Sequence, residues 1–254
     1  MTTSSFGLTA EEAALIAKIN ELINRVKAKL IELQNAISAQ LSSLPAFLRD
    51  RALTKWANVT TVMNEAWRIL AEAGFSASIG TQTPEPLPVG SPSALYATAN
   101  TWSDKVSGPV TGTVQSITAA SLKVDDSWQG RAASRYLESL PSQTTALDKI
   151  RFSLCDGITA TLAEIAKAIT AFWTSVLLAL LVLIAALATA AVTAAGVLPA
   201  IILILVGLVI FLGTLASSAA TLRAVCGAAN VTLRQKLNDN TAFGGGHWPR
   251  TTVQ

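Results

Sequence analysis

Residues 168–222 contain no Asp, Glu, Lys, Arg or His, and this uncharged tract constrains the chain more than any other feature. Lys167 and Arg223 bracket 55 residues dominated by Leu, Ile, Val, Ala and Phe. A bilayer core about 30 Å thick is crossed by about 20 helical residues. The tract is too long for one span and suits two. A break is expected at Ala195-Gly196-Val197-Leu198-Pro199, where Gly196 can close one helix and Pro199 suits the first turn of the next. The predicted spans run near 169–193 and 198–220. A buried hairpin inside a soluble bundle is the competing reading. Against it, LLALLVLIAALATAAV and AIILILVGLVIFLG are apolar all round and leave no face for water. The sequence therefore predicts an integral membrane protein with a transmembrane helical hairpin.

Small residues are expected to bring the two spans together: Ala186, Ala190 and Ala194 in the first, Gly213 and Ser217 in the second. Neither span carries an ionisable group, which argues against an ion pathway or a proton relay. Lys149, Arg151 and Lys167 precede the hairpin, Arg223, Arg234 and Lys236 follow it, and its turn is uncharged. The positive-inside rule then puts both termini in the cytoplasm if the protein resides in its own cell's membrane. The N-terminal segment lacks the basic and apolar regions of a secretory signal, so any export is expected to use another route. A net charge of +3 with no basic cluster makes nucleic acid an unlikely partner.

The rest of the chain reads as helical hairpins. Over residues 9–44, Ile19, Ile23, Val26, Leu30, Leu33, Ile37, Leu41 and Leu44 recur in steps of three and four. Thr9 and Glu12 have the spacing of a capping box, and Pro45 is expected to end the helix. A second helix through Trp56, Val59, Met63, Trp67 and Leu70 stops near Gly74. Leu15, Ile16, Leu22 and Ile31 broaden the first stripe beyond a two-helix seam, which predicts either a partner protein on this face or the helical hairpin of residues 94–167 folding back across the linker to cover it. Residues 75–93 form a linker rich in Pro, Gly and Ser. Helical pattern resumes through Leu95, Ala99, Trp102, Val106, Val110, Val114 and Ile117, with a kink expected at Gly108-Pro109 and a stop at Asp125-Asp126. A third pattern runs from Ala133 to Ile165 and straight into the first span, with a bend expected at Pro141.

At the turn between these helices stands Trp128-Gln129-Gly130-Arg131-Ala132-Ala133-Ser134-Arg135-Tyr136. This resembles the WXG family of helical hairpins associated with type VII (ESX) secretion systems, over roughly residues 92–170. The resemblance implies that Trp128 and Gly130 form the turn, that Ala132 and Ala133 let two antiparallel helices approach, and that Tyr136 packs nearby. It also implies a partner of the same kind, a WXG protein or a second copy. Family export depends on a Tyr-x-x-x-Asp/Glu element. Here the tyrosines are Tyr96 and Tyr136, position 140 is Leu, and Phe152 with Asp156 keeps the spacing with Phe in place of Tyr.

Catalytic chemistry has little to stand on. His247, the single histidine, lies in a glycine-rich tail, and Asp125 and Asp126 read as a helix cap. Cys155 and Cys226 fit neither a metal spacing nor a disulfide framework, and Cys155 falls in a helix seam as a buried thiol. No phosphate-binding loop or nucleophile elbow appears. The expectation is an all-α, non-enzymatic protein with no catalytic residues, cofactor, metal or small-molecule substrate, its partners being the bilayer and another helical protein. Its divisions are an amphipathic hairpin (1–74), the linker (75–93), a WXG-like hairpin (94–167), the transmembrane hairpin (168–222), and a short helix with a disordered tail (223–254). Two functions fit: a type VII-associated membrane protein, or an α-helical pore-forming toxin that conceals its hydrophobic hairpin.

Overall fold

The computed structural model describes residues 8–74, 90–124, 128–192 and 196–250, and among them every regular element is helical. Helices α1 (Ala10–Leu41) and α2 (Ala46–Glu72) come first. Then follow α3 (Pro92–Trp102), a π-helical segment Ser103–Ser107, α4 (Gly108–Ser116) and the single turn α5 (Ala119–Leu122). Helix α6 (Arg131–Asp148) passes through a second π-helical segment, Lys149–Cys155, into α7 (Asp156–Val192), and α8 (Val197–Leu237) completes the set. The second apolar helix thus runs on to Leu237 without the separate short helix expected after it.

The helices form two compact units that cut across the linear division read from the sequence: Met1–Ser91 with Ala168–Arg223, and Pro92–Lys167 with Ala224–Gln254. The apolar hairpin is grouped with the N-terminal amphipathic hairpin and does not form a domain of its own. Both pairs carry apolar faces that one partner helix cannot fully cover.

In the first unit the expected capping box is present. The Glu12 amide donates to Thr9 Oγ1 at 3.2 Å, and the Thr9 amide donates to Glu12 Oε2 at 3.0 Å. Helix α1 stops at Leu41, short of Pro45, because the Ser42 and Ser43 hydroxyls donate back to the Ala39 and Gln40 carbonyls; Pro45 instead caps the start of α2. Gly74 follows α2 with φ +82°, a left-handed stop suited to glycine. Lys27 Nζ lies 5.4 Å from the Trp67 ring centroid, so α1 and α2 are antiparallel neighbours with Leu22 roughly level with Glu72. Residues Ala10–Glu21 then extend past the end of α2, yet Ile19 among them is fully buried, as are Leu22 and Ile23 where α2 ends.

The buried arc of α2 widens toward the same end. Ala52, Val59 and Met63 span about 40° of the helix at 100° per residue, whereas Ala66, Trp67, Ile69 and Leu70 span about 160°. Helix α7 behaves likewise: Phe172, Trp173, Val176, Ala179 and Leu180 cover about 120°, and Leu183, Leu187 and Ala190 about 60°. One helix neighbour accounts for the narrow arcs and a further one for the wide arcs. The apolar hairpin is the other helical pair grouped in this unit. Arg223 NH2 donates to Glu72 Oε2 at 2.8 Å and ties the two pairs together.

The second unit pairs the α3–α4 arm with α6 and the segment after it, and its two π-helical segments touch each other. The first of them replaces the expected kink. Pro109 has no amide hydrogen to continue the ladder, and the helix widens just before it, the Gly108 amide reaching back five residues to Ser103. Pro141 lies inside α6, and the departure from α-helical geometry falls eight residues later, at Lys149. The α4 pattern ends at Ser116, earlier than expected; Asp125 and Asp126 lie outside the described residues, as does most of the 75–93 linker. Helix α3 already begins at Pro92, which suits a first helical position.

The tail expected to be disordered folds into a turn over residues 238–250. Asp239 accepts from the Thr241 amide and hydroxyl, Gly245 and Gly246 supply φ values of +64° and +78°, and Phe243 packs on Trp248 at 6.0 Å. Asp239 also pairs with Lys149. Composition hid this turn because its glycines read as flexibility where they serve as left-handed corners. The Lys149 contact, followed by the Thr241 bonds, lowers the Asp239 pKa from 3.8 to about 2. A depressed carboxylate pKa stabilises the folded tail above about pH 4, and that contribution is lost as the pH falls toward 2. Carboxyl resonances should therefore titrate near 2 for Asp239 in the parent, and closer to 3.8 in Lys149→Gln.

Candidate functional site

The apolar lengths of α7 and α8 carry the membrane chemistry of the chain. Both helices are long and apolar enough to cross a bilayer, and only 39% of each one's most apolar stretch is buried. A core helix of a soluble bundle would be mostly enclosed. Toward the interior lie Val176, Leu180, Leu183 and Leu187 of α7 with Ile201, Ile204, Leu208 and Leu215 of α8, all fully buried. Leu178, Leu181 and Val182 with Ile202, Leu203, Val206, Val209 and Ile210 form the outer side, each 40–56% exposed. Bulky aliphatics dominate that outer side, with exposed Thr189 on the same face of α7.

Five hydroxyls in the apolar lengths of these helices bond within their own helix. Thr174, Thr189, Thr214 and Thr221 donate to the carbonyl four residues back, and Ser218 to that of Leu215, at 2.9–3.1 Å. An intrahelical partner lets such groups sit in a medium that offers no hydrogen bonds. Gly196 precedes α8 with φ +99°, and Pro199 lies in its first turn, as expected for the hairpin turn; residues 193–195, Ala194 among them, are outside the described residues.

The close contact between the helices differs from the one expected. A Cβ on Gly207 would stand 2.8 Å from Ala186 Cβ, so Gly207 is where the helices meet most tightly. Gly213 has nothing within 4 Å of a Cβ position. With Ser217, Ser175, Thr214 and Phe172 it lines an open groove of about 600 Å³ where the helices diverge toward their charged ends. Ala186 was legible as a contact residue. Gly207 was missed because one glycine among Val and Leu has no period.

In the second unit the Trp128 turn has the expected backbone. Gly130 has φ +100° and ψ −175°, a region open essentially to glycine alone, and caps α6. Trp128 packs on Tyr136 at 5.6 Å between ring centroids and remains 44% exposed. Of the alanine pair, Ala133 is buried and Ala132 faces outward. Phe152 is 55% exposed with the Arg151 guanidinium 3.6 Å from its ring centroid, and Asp156 is exposed at the start of α7. Cys155 is fully buried, which pushes its thiol pKa up, the Asp156 charge adding to the shift; Cys226 is exposed. Among the described residues no three His, Cys, Asp or Glu side chains gather as a metal site.

Two pairs of substitutions check these assignments by denaturant unfolding of the full chain in micelles. Gly207→Leu should cost about 1–3 kcal/mol by overpacking against Ala186, while Gly213→Ala should be neutral or stabilising by up to about 1 kcal/mol. Gly130→Ala should cost about 1–3 kcal/mol for its backbone region. Trp128→Ala should cost about 1 kcal/mol, the value of an exposed aromatic pair; a loss of 3 kcal/mol or more would mean that the indole is buried.

Compared with known proteins, the chain matches no family model, no curated protein and no solved structure.

Proposed function

We propose that this chain is a non-enzymatic membrane protein of the type VII secretion-associated, WXG-like kind. It inserts or anchors through residues 168–222 and offers its helical pairs to a protein partner, a WXG protein or a second copy. The observation that carries the membrane part is the outer aliphatic side from Leu178 to Ile210, left exposed on a hairpin in which Thr174, Thr189, Thr214, Ser218 and Thr221 have intrahelical partners. In water such a row is unfavourable at roughly 25 cal/mol for each Å² of apolar surface, whereas lipid accommodates it. The secretion link is supported by the Gly130 turn between two antiparallel arms and by the Trp128–Tyr136 pair beside it. An exposed indole next to a ring of its own helix is suited to contact with another helix.

A second reading, the pore-forming toxin, is favoured by one specific observation. The charged α1–α2 pair shares a compact unit with the apolar hairpin, as a water-soluble form with a concealed hairpin would require.

Fractionation of the producing culture, with and without its type VII secretion ATPase, separates the readings. Resident protein in the membrane fraction is expected, with cysteines at positions 100 and 240 shielded from an impermeant thiol reagent and one at 196 labelled. ATPase-dependent loss from the medium, or from a complex with a WXG partner, would support the secretion link. Recovery as a water-soluble species that permeabilises vesicles would favour the toxin, and labelling of positions 100 and 240 on opposite sides would overturn the two-span hairpin.

A further inference from the structure

We infer that the first compact unit is a closed state, in which the α1–α2 pair covers the membrane hairpin and must leave it before the hairpin can cross a bilayer. The inference rests on the reading that residues 168–222 enter a membrane. Its starting point is the charge on the cover. The start of α1 and the end of α2 bury Ile19, Leu22, Ile23, Val26, Ala66, Trp67, Ile69 and Leu70. Lys18, Glu21 and Arg25 stand on the opposite, exposed side of the same turns of α1, and Glu65 and Arg68 on that of α2.

The membrane hairpin receives its widest coverage over Ile169–Leu180 of α7. Those 12 residues run about 18 Å along the helix, more than half of a hydrocarbon core about 30 Å thick. A cover lying there would carry its charges into lipid with the spans. Each charge near the midplane lowers insertion by about a hundredfold. Pairing Lys18 with Glu21 at 2.8 Å softens this penalty without removing it, since both ions still lose their water. The closed unit and the inserted hairpin are therefore alternative states of one chain.

The contact that holds the cover at its charged edge is Glu72. Its carboxylate pairs with Arg68 on its own helix and with Arg223 at the end of the uncharged tract, at 2.8 Å for the latter. Glu65 completes a row with Arg68 at 2.6 Å, and that contact holds its carboxyl below the usual range. The apolar burial of Ile19, Leu22, Ile23 and Leu70 can be exchanged for lipid without loss. The Glu72–Arg223 pair is directional and has no counterpart in the bilayer. It serves as a latch, strong enough to bias the closed state and weak enough to release, because Arg223 remains 63% exposed.

The test uses the full chain, diluted from detergent onto vesicles of phosphatidylcholine and phosphatidylglycerol. Insertion is read as protease protection of the hairpin in carbonate-resistant vesicles. Arg223→Glu or Glu72→Lys alone should speed insertion about three- to fivefold, and the double variant E72K/R223E should return it to the parent rate. Spin labels at Lys18→Cys and Ala220→Cys, in a background without Cys155 and Cys226, report the cover directly and do not depend on a charge variant folding. Their separation should lengthen when vesicles are added. An unchanged separation with the hairpin protected would overturn the cover while leaving the membrane reading intact, as would single variants that insert at the parent rate. Failure of every form to protect the hairpin would overturn the membrane reading and the cover together.

Discussion

One constraint governs this molecule: two helices apolar on every side must be hidden on every side, and a pair of helices hides only the seam between them. Here Gly207 and Ala186 draw that seam together, and Val176, Leu180, Ile204 and Leu208 fill it. The α1–α2 pair shares the compact unit with the hairpin and is joined to it through Glu72 and Arg223. The outer aliphatic row has no protein against it among the described residues. The amphipathic pair is where it is because its broad apolar stripe and the uncharged tract have complementary needs, and the charges of α1 and α2 face away as a consequence. This arrangement gives the first unit a water-compatible side and a lipid-compatible side within the same four helices.

Much of this was legible in the sequence where the signal is local. The Thr9–Glu12 box, the left-handed Gly74 and Gly196, the run from α6 into α7 and the extent of the uncharged tract each arise from a few neighbouring residues whose backbone preferences leave little choice. The extra width of the α1 stripe at Leu22 also signalled a third neighbour. Its identity did not follow, because pairing of faces more than 140 residues apart leaves no periodic trace in either segment. The same limit hid Gly207, whose role depends on what stands opposite it. At Pro109 the sequence signalled a disturbance in the helix, and the backbone took it up as π-helical widening just before it; at Pro141 the α-helix runs on, and the widening from Lys149 has no proline beside it.

The Trp128 turn divides in the same way. Gly130 was readable because only glycine suits its backbone, whereas the exposure of Trp128 depends on whether another surface comes to meet it. Stability alone does not account for this turn. Holding residue 130 in its region would cost a residue with a Cβ about 1–3 kcal/mol, and the arrangement presents a large indole to the outside when Ala133, Leu140, Ala146 and Leu147 already close the interface of the arms. A local rule broken without compensating burial is typical of a site shaped for something outside the fold. The aromatic pair at 5.6 Å keeps the indole in one orientation, so less freedom would be lost when a partner helix covers it. On the proposed function the turn contributes to recognition more than to folding, and its fixed aromatic corner is the part a partner helix would meet.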